Sequence, residues 1–446
     1  MAWSKKQKPP VMATISIPAY GIKTLGSRHI LLGGGGGAAA TGVKNELQLY
    51  LLTYNHFAKI GGGQYKNLTG KKTATVDTGL RATMNLDAVA IGPPDSGRYL
   101  IAAGQDDLCV FYETCGFDLA PDGSNVDSPS QLSLRFQELN KVKSTEAASK
   151  SYQLCVRFDR SPSKPLRVAT AGTDGYVRIW DAIGFCQNRD PTIERKPLKE
   201  FMVEDKKDVT QIDFSYCGSM LLTVGNDVNI WHISTEKKLQ ALPEIPALLN
   251  SKYKCRTVRF VNLNPQSKRA YFVAAHNCRI RNSKQDCKLS LWAFDQEKGT
   301  FSSLVVKEVD KDAVSSLTVS NCSSMVAVGT QTGGVFVYDT RSLNVLYSAL
   351  EAHSAFVTSV EFLPRRTFDT PSMGRIEQSN GNQSAQTFLP GVTSESLISV
   401  VSLSIDQQLQ LHSVPFPQGI STIGYWMKAS CWLFSLYILL WAFLIY

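Results

Sequence analysis

Apolar residues in this chain fall in short runs rather than in long helical stripes. One arrangement recurs: an apolar strand, a glycine or other small residue, a turn, and a second apolar strand that often closes on an aromatic. The clearest copy runs from Leu166 to Asp181, with Gly172-Thr173-Asp174-Gly175 at its turn and Trp180-Asp181 at its end. Met220 to Trp231 and Met325 to Tyr338 repeat it, and Tyr99 to Tyr112, Ala270 to Phe294 and Leu397 to His412 are weaker copies. Ile30 to Leu51 is a longer version. Gln211 to Phe214, Ser316 to Val319 and Val357 to Phe362 are apolar-alternating strands that supply the other half of their units. Seven units at a spacing of about fifty residues, one ending in Trp-Asp, predict an all-β, seven-bladed β-propeller of the WD-repeat type.

The unit at Ile30 to Leu51 is unusual in its turn, Gly33-Gly34-Gly35-Gly36-Gly37-Ala38-Ala39-Ala40-Thr41-Gly42-Val43-Lys44-Asn45. Strands flank this run on both sides, so it is a loop at the tip of a hairpin, not a linker between domains. Glycines there permit backbone conformations and close approaches that side chains forbid. The spacing Gly37 to Gly42 imitates a phosphate loop, but Val43 stands where the lysine is needed and a strand follows where a helix is needed. The pattern places the loop between the last two strands of the first blade, projecting from one rim.

Composition narrows the class. The chain has 446 residues, 43% hydrophobic and 19% charged, which is ordinary for a globular protein. Its net charge of +9 is scattered and lacks the aromatic interleaving or recognition helix of a nucleic-acid binder. A mildly basic surface suits an acidic partner or an anionic membrane. Ten cysteines, with no CxxC, read as reduced residues in a cytosol-facing domain, and no zinc site emerges. No Ser/His/Asp or paired-carboxylate set stands out, which argues against covalent catalysis; His353 and Asp174 read as hydrogen-bonding members of blades.

Residues 429–446 carry no charge and are long enough for a membrane-spanning helix. Basic residues lie on the N-terminal side of this span, so that side is expected in the cytoplasm. The domain plan is a cytosolic propeller over residues 1–414, a stiff linker over 415–428 and a single transmembrane anchor over 429–446. Polar insertions near 124–150 and 366–390 read as disordered loops between strands.

Several features together carry a resemblance: Pro18-Ala19-Tyr20-Gly21, the Gly loop through Gly42-Val43-Lys44-Asn45, Arg81-Ala82-Thr83-Met84-Asn85-Leu86, Ala102-Ala103-Gly104-Gln105-Asp106, Gly172 to Arg178, Ala352-His353-Ser354 and the C-terminal span. The chain resembles the prolactin regulatory element-binding protein family, which includes the yeast-type membrane exchange factor for the Sar GTPase. The resemblance implies a guanine nucleotide exchange factor at the endoplasmic reticulum membrane, its C-terminus lumenal, that starts COPII coat assembly. It implies that Asn45 is the catalytic amide. By the same resemblance, Gly42, Val43, Lys44 and Asn45 meet the GTPase, with Thr83 and Asn85 on the same face. It further implies a potassium ion held by backbone oxygens of Gly34, Gly35, Gly36 and Gly37. Two other classes stand beside this reading: a membrane-tethered WD-repeat scaffold without exchange activity, and a DNA-binding factor, against which the membrane tail and the missing groove-reading motif both argue.

Overall fold

Seven four-stranded antiparallel sheets make up the fold, each a blade, and in six of them the strands follow one another in sequence from the centre outward. The computed structural model describes residues 9–39, 42–54, 68–93, 96–120, 131–146, 151–190, 193–203, 207–243, 253–279, 287–309, 312–366, 391–394 and 396–416. The innermost strands are Ala19–Leu25, Thr83–Ala90, Gln153–Phe158, Gln211–Phe214, Tyr253–Val261, Val314–Val319 and Val357–Leu363. Each touches the next, and the last touches the first, so the ring closes. The expected seven-bladed propeller is the observed architecture. All seven strand–turn–strand units read from the sequence are the second and third strands of successive blades.

These strands form because their side chains are buried on both faces, between neighbouring blades. His29–Gly34, Met220–Val224, Met325–Thr330 and Ile398–Ser404 are buried throughout. That is why they read as continuous apolar runs rather than alternating ones. The last blade takes its outer strand, Val11–Thr14, from the N-terminal end of the chain, paired with Gln408–Val414. This pairing joins the two ends of the propeller. The Trp-Asp signature has a local physical role: Trp180 Nε1 donates to Thr170 Oγ1 at 2.9 Å, and Asp181 accepts from Ile183 N to cap the short helix Ala182–Gln187.

Two expectations are corrected. The Gly loop does not join the last two strands of the first blade; it joins the second, His29–Gly34, to the third, Glu46–Tyr54, because Leu68–Asp77 adds an outer strand. The presumed insertion near 124–150 holds a long outer strand, Gln131–Lys143, paired with Leu108–Ala120. Leu134, Leu139 and Val142 are buried there while Arg135, Glu138 and Lys141 face solvent, and the surface charges hid the strand. The insertion near 366–390 lies almost wholly outside the described residues, as do most of the linker at 415–428 and all of the anchor at 429–446. Among the described residues no helix is long and apolar enough to cross a membrane.

Candidate functional site: the glycine loop and its rim

The loop of residues 35–45 emerges from two buried strands, and its first glycines serve close packing. Gly33 lies over Thr83: a Cβ there would come within 2.6 Å of the threonine methyl. A Cβ on Gly34 would overlap the Pro18 carbonyl oxygen, which accepts from Gly35 N at 2.9 Å. The Pro18-Ala19-Tyr20-Gly21 segment is therefore the floor on which the loop is laid. Gly35 and Gly37 have φ of +137° and +72°, values that L side chains rarely adopt. Gly36, half-buried, sits between them.

Asn45 closes the loop at its far end. Gly37 N donates to Asn45 Oδ1 at 2.8 Å; Asn45 Nδ2 donates to Gly37 O at 3.2 Å and to Gly79 O at 2.9 Å. Its backbone carbonyl accepts from Thr78 N at 3.0 Å. The residue is only 6% exposed. One amide thus ties the start of the loop, its end and the connection to the second blade. The resemblance gave this amide to a partner; in this structure its donors and acceptor bond to Gly37 of the loop and to Gly79 of the connection to the second blade. The Gly37 carbonyl, one of the oxygens a potassium ion would need, already accepts from Asn45 Nδ2. Among the described residues there is no cluster of His, Cys, Asp or Glu suited to a metal.

Below the loop runs a buried polar ladder. Gln48 Nε2 donates to Glu46 Oε2 at 2.7 Å and to Ser16 Oγ at 3.0 Å, and Tyr50 Oη donates to Gln48 Oε1 at 3.0 Å. Burial, with the Glu46 charge adding to it, pushes the Tyr50 hydroxyl up to about 12, so it stays a donor at neutral pH.

The remaining expected residues separate into exposed and buried sets. Gly42, Val43 and Lys44 are exposed on the loop's outgoing limb. Thr83 is fully buried and accepts from Gln105 Nε2 at 3.3 Å. Asn85 is half-buried and exchanges hydrogen bonds with Gln153, donating to its carbonyl and accepting from its amide, each at 2.9 Å. Asn85 thereby joins the second blade to the third. Beside the loop stand two exposed apolar side chains, Leu80 at 77% and Met84 at 47%, which with Val43 at 38% make an apolar rim. Leu80 and Met84 were not foreseen; the only available sign was Met84 in the outward phase of the Arg81-Ala82-Thr83-Met84-Asn85 segment. Arg81 Nη1 fixes this connection by pairing with Asp107 at 2.5 Å.

His353 and Asp174 have the structural surroundings expected of them. His353 Nε2 lies 2.7 Å from Ser402 Oγ and its Nδ1 3.1 Å from the Asp406 carboxylate. Asp174 accepts from Tyr176 N at 3.1 Å and from Glu146 N at 2.9 Å, and pairs with Arg178 at 2.7 Å.

Comparison with known proteins agrees with this geometry. The WD domain, G-beta repeat family model matches residues 141–181, the outer strand of the second blade through the third strand of the third. The chain is 26% identical over 437 residues to the guanine nucleotide-exchange factor SEC12 of Rattus norvegicus, covering 90% of each chain. The SEC12 protein of Mus musculus matches to the same extent. Among solved structures, Sqt1 of Chaetomium thermophilum, crystallised bound to the N-terminus of ribosomal protein L10, superposes with a TM-score of 0.52 at 14% identity. That superposition covers 91% of this chain and all of the other, and it reflects a shared fold. The resemblance read from the sequence is thereby shown: this chain is similar, along nine-tenths of its length, to the WD-repeat guanine nucleotide-exchange factors of the SEC12 kind.

Proposed function

We propose that this chain is a guanine nucleotide exchange factor for a Sar-type small GTPase, acting at the endoplasmic reticulum membrane to start COPII coat assembly. The observation that carries the reading is a loop braced at both its ends by Asn45 and bordered by an exposed apolar rim, on a chain similar to SEC12 along nine-tenths of its length. Exchange requires no covalent step. The factor must bind the nucleotide-free GTPase better than the GDP-bound one, so that binding energy expels GDP. A rigid loop suits this task, because a floppy one loses ordering entropy on every encounter. In this scheme Gly42, Val43 and Lys44 meet the switch region and Leu80 and Met84 extend the contact, while Asn45 positions the limb that presents them.

The potassium ion stays a subsidiary part of the proposal. If it contributes, it does so beside a loop already held by Asn45. The tether, the cytosolic face of the propeller and the lumenal C-terminus rest on residues 429–446 of the sequence. The test is GDP release from a Sar-type GTPase by the full chain in detergent micelles. Catalytic acceleration supports exchange activity; stable binding to the GTPase without acceleration would leave the tethered scaffold as the function.

A further inference from the structure

At the end of the central channel away from the Gly loop, a cavity of about 710 Å³ opens between the turns that follow the innermost strands. Each innermost strand places one residue at an equivalent register position, opposite Leu31, Ala102, Ala169, Leu222, Val273, Ala327 and Val401 respectively. In order around the ring these residues are Lys23, Asp87, Arg157, Asp213, Arg259, Thr318 and Glu361. Their charges alternate. Strict alternation cannot close on seven positions, so the ring must break once, and it breaks at Thr318.

The alternation is built from real pairs on one side of the ring. Lys23 Nζ lies 2.7 Å from Glu361 and 3.5 Å from Asp87. Arg157 lies 3.6 Å from Asp87 and 3.9 Å from Asp213, and Arg160, at the strand end, pairs with Asp87 at 2.7 Å. Burial opposes ionisation of Asp87, but Arg160, Lys23 and Arg157 outweigh it and hold the carboxyl far below its ordinary range. Asp213 gives one oxygen to Phe260 N at 2.7 Å.

Beside the break the pattern fails. Arg259 is 9% exposed, and among the described residues it has no ion-pair partner. Its Nη1 donates to Gln211 Oε1 at 3.0 Å and to the Val258 carbonyl at 2.7 Å, both neutral. Burial, then the nearby Arg157 charge, pulls the guanidinium down to about 10, because the attraction of Asp213, Asp87 and Glu361 at longer range only partly offsets them. The next ring position, Thr318, is 8% exposed and lines the same cavity. Lys23, Arg157, Arg160 and Arg259 face only Asp87, Asp213 and Glu361. A buried, unpaired guanidinium is costly to fold around, and an anion at that point relieves the cost.

We propose that the channel end at Arg259 and Thr318 is a binding site for a phosphate-class oxyanion, either a soluble phosphate compound or a phosphorylated lipid headgroup. A tetrahedral oxyanion can accept from two guanidiniums at once, here Arg259 and Arg157, and from the Thr318 hydroxyl. The cavity volume suits a small ligand. This site lies across the disc from the Gly loop and does not depend on the exchange reading.

The test uses the full chain in detergent micelles, in chloride buffer of matched ionic strength. Inorganic phosphate in one arm, and a short-chain phosphatidylinositol phosphate in the other, are titrated while thermal unfolding is followed. The expected result is a saturable rise in Tm of a few degrees in at least one arm. Thr318→Asp supplies the missing carboxylate; it should melt above the parent chain without ligand and lose the response. Arg259→Gln should weaken binding by roughly tenfold or more. A response to inorganic phosphate assigns a soluble compound, and a response to the lipid alone assigns a headgroup. No saturable rise in either arm, or responses unchanged in both variants, would overturn the proposal.

Discussion

The first and third blades solve the same topological problem in opposite ways. Both must turn from the second strand to the third at the same face of the disc. The third blade does so in residues 173–175, where the Asp174 carboxylate accepts from Tyr176 N and pairs with Arg178, and Gly175 supplies φ of +81°. The first blade spends residues 35–45 on that connection and holds them with the Asn45 amide, whose bonds reach Gly37 and the next blade's entry at Gly79. The tight turn braces its own blade and the connection arriving from the second, through the bond from Glu146 N to Asp174. The long loop costs more chain entropy to order. A loop anchored at Gly37 and Asn45, carrying exposed Val43 and bordered by exposed Leu80 and Met84, suits the proposed contact with a partner. Changes in the tight turn should therefore cost stability, and changes in the long loop should cost function.

The largest effect is expected at the tight turn. Asp174→Ala leaves the Arg178 guanidinium, 8% exposed, with the half-exposed Glu200 as its one acidic partner among the described residues. It should lower stability by roughly 3 kcal/mol, read in denaturant unfolding, with the exchange rate per folded molecule unchanged. Acid should act on the blades in the same direction. Burial holds His276 down to about 4, and burial with His353 holds His412 down to about 3. Both imidazoles are neutral when folded and take up protons on unfolding below about pH 6.5. Stability is therefore complete above that pH and declines as pH falls toward 4. His412→Asn should flatten the decline in a melting series from pH 7 to pH 4.5; an unchanged slope would remove His412 from the account.

Smaller effects belong to the loop. Gly34→Ala drives a methyl into the Pro18 carbonyl and should cost about 1–3 kcal/mol. Loop amides should then exchange hydrogen faster, while those of the third blade keep their protection. Met84→Ala and Leu80→Ala remove only exposed side chains and should shift stability by less than about 0.5 kcal/mol. If the rim meets the GTPase, each should still slow GDP release several-fold. Normal release by both variants would confine the contact to Gly42, Val43 and Lys44.

The inner parts of the fold were legible and the outer parts were not. Second and third strands such as Met220–Val224 and Val335–Asp339 are wrapped on both faces by neighbouring blades, so their sequences are nearly all apolar. Outer strands meet solvent and are held largely by backbone pairing. Lys237–Ala241 is mostly exposed, and Gln131–Lys143 alternates charges with a few buried apolar residues. Neither carries a periodic signal strong enough to separate it from a loop. The position of the Gly loop on a hairpin was readable because strands flank it. The bracing by Asn45 was not, since its partner at Gly79 lies 34 residues away. Thr83 reads as a surface polar residue beside Asn85, yet Gly33 leaves room for its methyl inside the interface between blades.

One measurement tests the central claim most directly: GDP release from a Sar-type GTPase by the full chain and by its Asn45→Ala variant, with thermal unfolding of both in parallel. Without the amide, Gly37 loses both partners and the Gly79 carbonyl loses its donor, so the loop loosens while the blades stay intact. The account predicts a Tm within a few degrees of the parent and release slowed by roughly tenfold or more, a barrier change of about 1.4 kcal/mol per factor of ten. Parent-like release from a variant with parent-like melting would contradict it and separate the Gly loop from the function.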